Sequence, residues 1–258
     1  MTAMFTERPA DLLEALAVDA GVVCLVGAGG KKSTIYRIVS RTTGRVAITS
    51  TVQTPPFRKR LAADTLVAPG DALKSLVAGA SASRIVAYAC PGEKKARLAG
   101  VDPHLVLDIH DSCAFDVTLV KADGARLRRI KAPGAHEPVL PSRFSTLIVL
   151  VSLRAVGEPL DRIVSHRPEL VAELTGAVPG RPITTEHVAR LLTHPHGGMK
   201  HADRAERVIP VVNMVDTDEQ KYAARLIADQ VLQRAPQLDR VVLARMVSEE
   251  PVVEVVWR

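Results

Sequence analysis

Val22-Val23-Cys24-Leu25-Val26-Gly27-Ala28-Gly29-Gly30-Lys31-Lys32-Ser33 decides how the rest of the chain is read. A short apolar run ends on a glycine, which predicts a buried strand. Ile35, Ile38 and Val39 then follow at helical spacing, so a helix is expected to begin near Lys31. Strand, glycine loop and helix in that order make an anion site. Glycines let the backbone turn sharply and aim N–H groups inward, the helix adds its positive end, and a lysine reaches the outer phosphates. The bland alternative is a tight strand-to-helix turn with no ligand.

Gly27, Gly29, Gly30 and Lys31 are therefore candidate phosphate-binding residues, with Lys32 and Ser33 beside them. The loop is shorter than G-x-x-x-x-G-K-S/T and closer to the compact G-x-x-G-K-S/T form of Mur-type ligases. The position after the lysine ordinarily offers a hydroxyl to Mg²⁺. Lys32 stands there instead, and an ammonium opposes a cation. Ser33, one place on, serves a metal only if the loop shifts. Alternatively, Lys32 neutralises phosphate itself and binding needs little or no metal.

Working outward, apolar runs recur at Val46–Ile48, Leu66–Ala68, Ile85–Ala89, Val117–Val120 and Leu147–Val151. Helix-like stretches precede the loop at 10–19 and fall between the runs at Asp71–Val77 and Lys94–Leu98. After Val208–Asn213 come a helix at Asp218–Gln233 and strands at Arg240–Leu243 and Val252–Trp257, the last expected as an antiparallel edge. Strands alternating with helices predict an α/β fold, P-loop NTPase-like, with a mainly parallel sheet covered on both faces. Residues 152–206 are poorer in strands and read as a helical insertion, with one helix capped near Thr184. A single domain over 1–258 is the reading, and a separate second domain is the alternative.

Composition narrows the class. Hydrophobic residues are 47% and aromatics only 3%, so the core is aliphatic and an aromatic platform for stacking bases is disfavoured. No apolar run reaches the roughly 18 residues of a membrane span, and the first residues lack a signal-like stretch. Cys24, Cys90 and Cys113 have no paired spacing, which fits a reducing compartment; the expected location is cytoplasmic. The net charge of +6 and the basic stretch Lys121, Arg126, Arg128, Arg129 and Lys131 raise nucleic acid as a partner. No nucleic-acid motif accompanies them, and a phosphate ligand accounts for part of the excess.

VGAGGKKSTIYRI at 26–38, ITSTVQTPP at 48–56, KADGARLRRIKAPGAHEPVLP at 121–141, SHRPE at 165–169 and PVVNMVD at 210–216 together resemble the YqeC family. The likeness runs in order from about residue 12 to residue 245. It implies a P-loop NTP-binding fold and an accessory role in maturing selenium-dependent molybdenum hydroxylases, with the hydroxylase or its cofactor as partner. The family's Gly-Gly-Lys falls on Gly29, Gly30 and Lys31, and its Thr-rich strand end on Thr49, Ser50 and Thr51. Its E-A-D-G falls on Lys121, Ala122, Asp123 and Gly124, so lysine stands where the family has glutamate. A carboxylate opposite a P-loop holds Mg²⁺ or its water, which makes Asp123 the candidate catalytic and metal residue, with Ser33 as a second metal candidate. With Lys32 and Lys121 at metal-handling positions, nucleotide binding without Mg²⁺-dependent hydrolysis is one expectation. Lys121 pointing outward, with Asp123 at work, is the other.

Asn213-Met214-Val215-Asp216 resembles the N-K-x-D guanine motif, which makes Asn213 and Asp216 candidate base readers. The alternative is that Asp216 caps the helix near Asp218. His136 and Glu137, on a proline-stiffened loop, are candidates for an acid–base pair or a substrate clamp, against a purely structural loop. His166 and Arg167 offer the same choice, Arg167 as a phosphate or carboxylate partner. His194, His196 and His201 flank a glycine turn without a cysteine or carboxylate and read as a surface loop. The expected ligand is ATP or GTP, with Mg²⁺ left open. The functions in view are a nucleotide-binding accessory protein or NTPase, a non-catalytic scaffold, and a ligase or nucleotidyltransferase.

Overall fold

A computed structural model describes residues 11–57, 61–94 and 96–258. The first half carries α1 (Leu12–Ala15), β1 (Gly21–Gly27), α2 (Lys31–Arg41), β2 (Val46–Ser50), β3 (Asp64–Val67), α3 (Gly70–Gly79) and β4 (Ile85–Pro91). Then come β5 (Leu98–Ala99), α4 (Pro103–Ser112), β6 (Val117–Lys121), β7 (Ile130–Lys131), β8 (Phe144–Ser152) and β9 (Ser165–His166). The last part holds α5 (Pro168–Thr175), α6 (Thr185–Thr193), β10 (Ala205–Asn213), α7 (Asp218–Arg234), β11 (Arg240–Ala244) and β12 (Val252–Trp257).

The main sheet runs β12-β11-β10-β8-β1-β6-β2-β4-β3, with β5 added to β4. All pairings are parallel except β11–β12 and β4–β5, so the expected antiparallel edge is present at β12. A central strand of such a sheet is buried on both faces, and β1 shows it. Val23 and Leu25 pack one way, with Ile35, Ile38 and Val39 of α2. Val22, Cys24 and Val26 pack the other way, in the layer that takes α3, α4, α6 and α7. The connection from β1 runs through α2 toward β2, whereas that from β10 runs through α7 toward the opposite edge. Crossovers of one hand that travel in opposite directions need helices on opposite faces, as these two core layers have. The direction therefore switches between β1 and β8, and the crevice at the carboxyl ends of such strands is where open α/β sheets take ligands.

The segment expected as a helical insertion carries α5, α6 and short 3-10 turns at Leu153–Ala155 and Ala202–Arg204. It also carries β9, which pairs with β7 in a separate two-stranded parallel sheet. Thr184 caps α6 as expected, in a box completed by His187. The helix expected over Lys94–Leu98 is absent among the described residues; Lys95 lies outside them. Leu98 exchanges backbone hydrogen bonds with Thr54 and begins β5, so hairpin pairing overrides the local helical pattern. The helix of this region is α4, announced by Asp102 as N-cap and Pro103 in the first turn. No helix among the described residues is long and apolar enough to cross a membrane.

Candidate functional site

The glycine loop sits at the carboxyl end of β1, and its shape is set by what packs against it. Gly27, Gly29 and Gly30 have φ of 87°, 87° and 124°. A Cβ at these positions would meet the Leu150 carbonyl oxygen, the Ser152 amide nitrogen and the Asn213 side chain respectively. Glycine is required twice over, by conformation and by space. Gly30 is the N-cap of α2 and no side chain caps that helix. Among the described residues the N–H groups of Gly29, Gly30, Lys31 and Ser33 donate to no partner. Helix starts always leave some N–H groups unpaired; here two loop N–H groups join them.

Asp123, two residues beyond β6, is 1% exposed and its carboxylate closes the back of the loop. Oδ2 accepts from the Gly27 N–H at 2.8 Å and pairs with Lys131 Nζ at 2.9 Å, while Oδ1 pairs with Lys31 Nζ at 2.8 Å. Lys31 Nζ also donates to the Gly27 carbonyl. Lys131 passes the charge on to Glu137 Oε2 at 2.7 Å, and Glu137 meets Arg167 Nη1, also at 2.7 Å. Arg167 itself is left-handed, with φ 64°, as N-cap of α5. An alternating chain, Lys31–Asp123–Lys131–Glu137–Arg167, thus links the loop to the start of α5.

Burial would raise the Asp123 carboxyl, but the Lys31 and Lys131 charges outweigh it and hold it below the usual range. Burial likewise raises Glu137, and its hydrogen bonds to Arg167 and Lys131 reverse this and bring it down to about 2. Burial lowers the Lys31 ammonium against the pull of Asp123. Lys121, at the end of β6, is lowered to about 8, first by burial and then by the Lys31 charge. Lys121 is not the outward-pointing residue that one reading expected: its amine nitrogen is buried and has no hydrogen-bond partner among the described residues.

The structure thus brings Gly27, Gly29, Gly30, Lys31, Asp123 and Glu137 into one connected site, with Asn213 beneath. Asn213 Nδ2 donates to the Gly29 carbonyl at 2.7 Å and its Oδ1 accepts from the Met246 N–H at 3.1 Å, so the side chain braces the loop. Asp216 is ion-paired to Arg154 at 2.7 Å. It does not cap α7; Thr217 does, in a box completed by Gln220. Ser33 is half-buried in the first turn of α2. His136 is exposed and not paired with Glu137, whose partners are Lys131 and Arg167. Thr49, Ser50 and Thr51 spend their hydroxyls on the carbonyls of Tyr88, Lys121 and Val139, tying β2 to its neighbours. Among the described residues no group of three or more His, Cys, Asp or Glu could hold a metal.

Lys131 was legible only as part of a basic stretch, and Ser152, Arg154 and Lys200 carried no local signal. Lys200 Nζ donates to the carbonyls of Gly134 and Ala135 at 2.8 and 3.0 Å and fixes the loop that carries Glu137. A cavity of about 30 Å³ lies under the glycine loop, lined by Gly27, Asp123, Lys131, Leu191, Gly198 and Lys200. It has room for about one water, so a larger ligand must lie on the open side of the loop. A larger hollow of about 660 Å³, bordered by Ala205, Arg207 and Asp239, lies at the other end of the sheet, away from these groups.

The family model described as YqeC protein matches residues 23–169, more than half the chain. That span includes the glycine loop and every member of the charge chain, but not Asn213 or Lys200. The chain is also similar to the Uncharacterized protein YqeC of Escherichia coli (strain K12), 25% identical over 222 residues, covering 81% of this chain and 84% of that protein.

Proposed function

The chain belongs to the YqeC family, and from that premise we propose that it binds a nucleoside triphosphate, ATP or GTP, with the phosphates on the Gly27–Lys31 loop. The biological setting proposed is the maturation of a molybdenum-containing hydroxylase, which rests on the family resemblance. One observation carries the binding reading: a sterically enforced glycine loop opens onto an uncapped helix start, where the N–H groups of Gly29, Gly30, Lys31 and Ser33 have no partner among the described residues, with the Lys31 side chain beside them. Backbone donors, a helix N-terminus and an ammonium are what a phosphate chain takes. Lys31 would exchange its bond to the Gly27 carbonyl for a phosphate oxygen, keeping Asp123 as its neighbour.

A scaffold role without hydrolysis is favoured over an NTPase role by Asp123. Its carboxylate is ion-paired to two ammonium groups, Lys31 on Oδ1 and Lys131 on Oδ2, and their charges oppose a metal cation there. The test is calorimetric titration of the whole chain with ATP and GTP, alongside Lys31→Met. Binding by the wild type and a loss of about tenfold or more in the variant are expected, the size of a charge-assisted hydrogen bond. If neither nucleotide binds the wild type, the reading fails.

A further inference from the structure

Lys31, Lys32 and Lys131 all act electrostatically on Lys121, as does the opposite charge of Asp123. Two of the four, Lys31 and Lys131, are bonded to that carboxylate, and Lys32 Nζ donates to the Pro55 carbonyl at 3.0 Å. Lys121 differs. Its backbone is fixed in the sheet, between Leu25 of β1 and Ser50 of β2, and its carbonyl accepts from the Ser50 hydroxyl at 2.9 Å. Its amine nitrogen is buried without a hydrogen-bond partner among the described residues. A lysine stem ordinarily carries its ammonium out to water, and an ammonium kept from water without a partner is costly. Asp123 acts on Lys121 through its charge but makes no hydrogen bond or ion pair with it among the described residues; its ion pairs are with Lys31 and Lys131. The second carboxylate, Glu137, is held by Lys131 and Arg167.

Among the described residues the neighbourhood therefore holds six cations, counting Arg167 and Lys200, against two carboxylates. Divalent cations sit beside phosphates to neutralise them, held by carboxylates and hydroxyls. Here the position after the loop lysine and the end of β6 both carry ammonium groups. Building on the proposed nucleotide site, we infer that Lys121, with Lys32, takes the place of the divalent cation, so that the site binds the phosphate chain of a nucleotide free of Mg²⁺. The ligand class is a polyphosphate anion. A metal–nucleotide complex is disfavoured, because Mg²⁺ would be set against two ammonium groups.

The experiment is calorimetric titration of the full chain with ATP, GTP and inorganic tripolyphosphate, each with excess Mg²⁺ and with EDTA. Wild-type affinity is expected to hold or improve when Mg²⁺ is removed. Lys121→Met, close in shape and without charge, is expected to lose about ten- to a hundredfold of the Mg²⁺-free affinity. It is also expected to raise the melting temperature of the unliganded protein by about 2–4 °C, because an unpaired buried amine has gone. Lys121→Arg should keep Mg²⁺-free binding, and Lys121→Glu should bind only when Mg²⁺ is supplied. Wild-type binding that requires Mg²⁺, or a Lys121→Met protein with undiminished Mg²⁺-free affinity, overturns the inference while leaving the proposed nucleotide site standing. Absence of binding in every wild-type titration removes both.

Discussion

Glu137 shares one oxygen between Lys131 and Arg167, and that sharing ties its protonation to folding. Its carboxyl lies at about 2 instead of the ordinary 4.5. The folded state therefore holds this proton less tightly than the unfolded chain does. The stabilisation is fully present above the ordinary value and is lost as pH falls through the folded value. Its ceiling is about 3–4 kcal/mol, from the difference between 4.5 and about 2. Glu137→Gln should lower stability at neutral pH by up to that amount and flatten the acid limb between about pH 4.5 and pH 2. Urea unfolding across that range checks it; a variant whose acid limb matches the wild type would mean the ion pairs contribute nothing. The sequence offered His136 and Glu137 as neighbours for acid–base work. Chain adjacency says nothing about orientation, and the structure turns one outward and the other into the charge chain.

The loop between β1 and α2 owes its shape to elements far along the chain. Asn213 at the end of β10 holds the Gly29 carbonyl with one end and the Met246 N–H with the other. Asn213→Asp keeps the acceptor and loses the donor, leaving a carboxylate beside a carbonyl oxygen. It should cost about 2–3 kcal/mol and weaken nucleotide binding, whereas Asp216→Ala, which breaks a partly exposed pair with Arg154, should cost under about 1 kcal/mol. Thermal melts with nucleotide titrations separate the two; equal effects would contradict the bracing role. Strand, loop and α2 were legible because they are local patterns with their own periods and punctuation. The role of Asn213 was not: the motif drew it toward a base, while its partner lies 184 residues away. Likewise, α4 carried its Asp-Pro start in plain view, whereas Lys94–Leu98 looked helical until pairing with β4 was available.

Neighbouring strands β8 and β10 run parallel through a register from Phe144↔Ala205 to Ser152↔Asn213. Residues 153–204 must therefore carry the chain from one end of the sheet back to the other, about 30 Å for a nine-residue strand. A parallel pair needs such a crossover, and this one also supplies α5, α6 and the partner strand of β7. Replacing 153–204 by a short flexible linker should abolish cooperative unfolding, as read by circular dichroism; a cooperative, native-like melt would show the segment to be dispensable. The same arrangement divides what substitution can change in this protein. Where a side chain would begin at Gly27, Gly29 or Gly30, backbone or side-chain atoms of Leu150, Ser152 or Asn213 already stand. No other residue enters those places without moving β8 or β10. Lys32 and Lys121 already carry side chains, so the ion preference proposed for the loop can diverge among descendants of one ancestor while its form stays fixed.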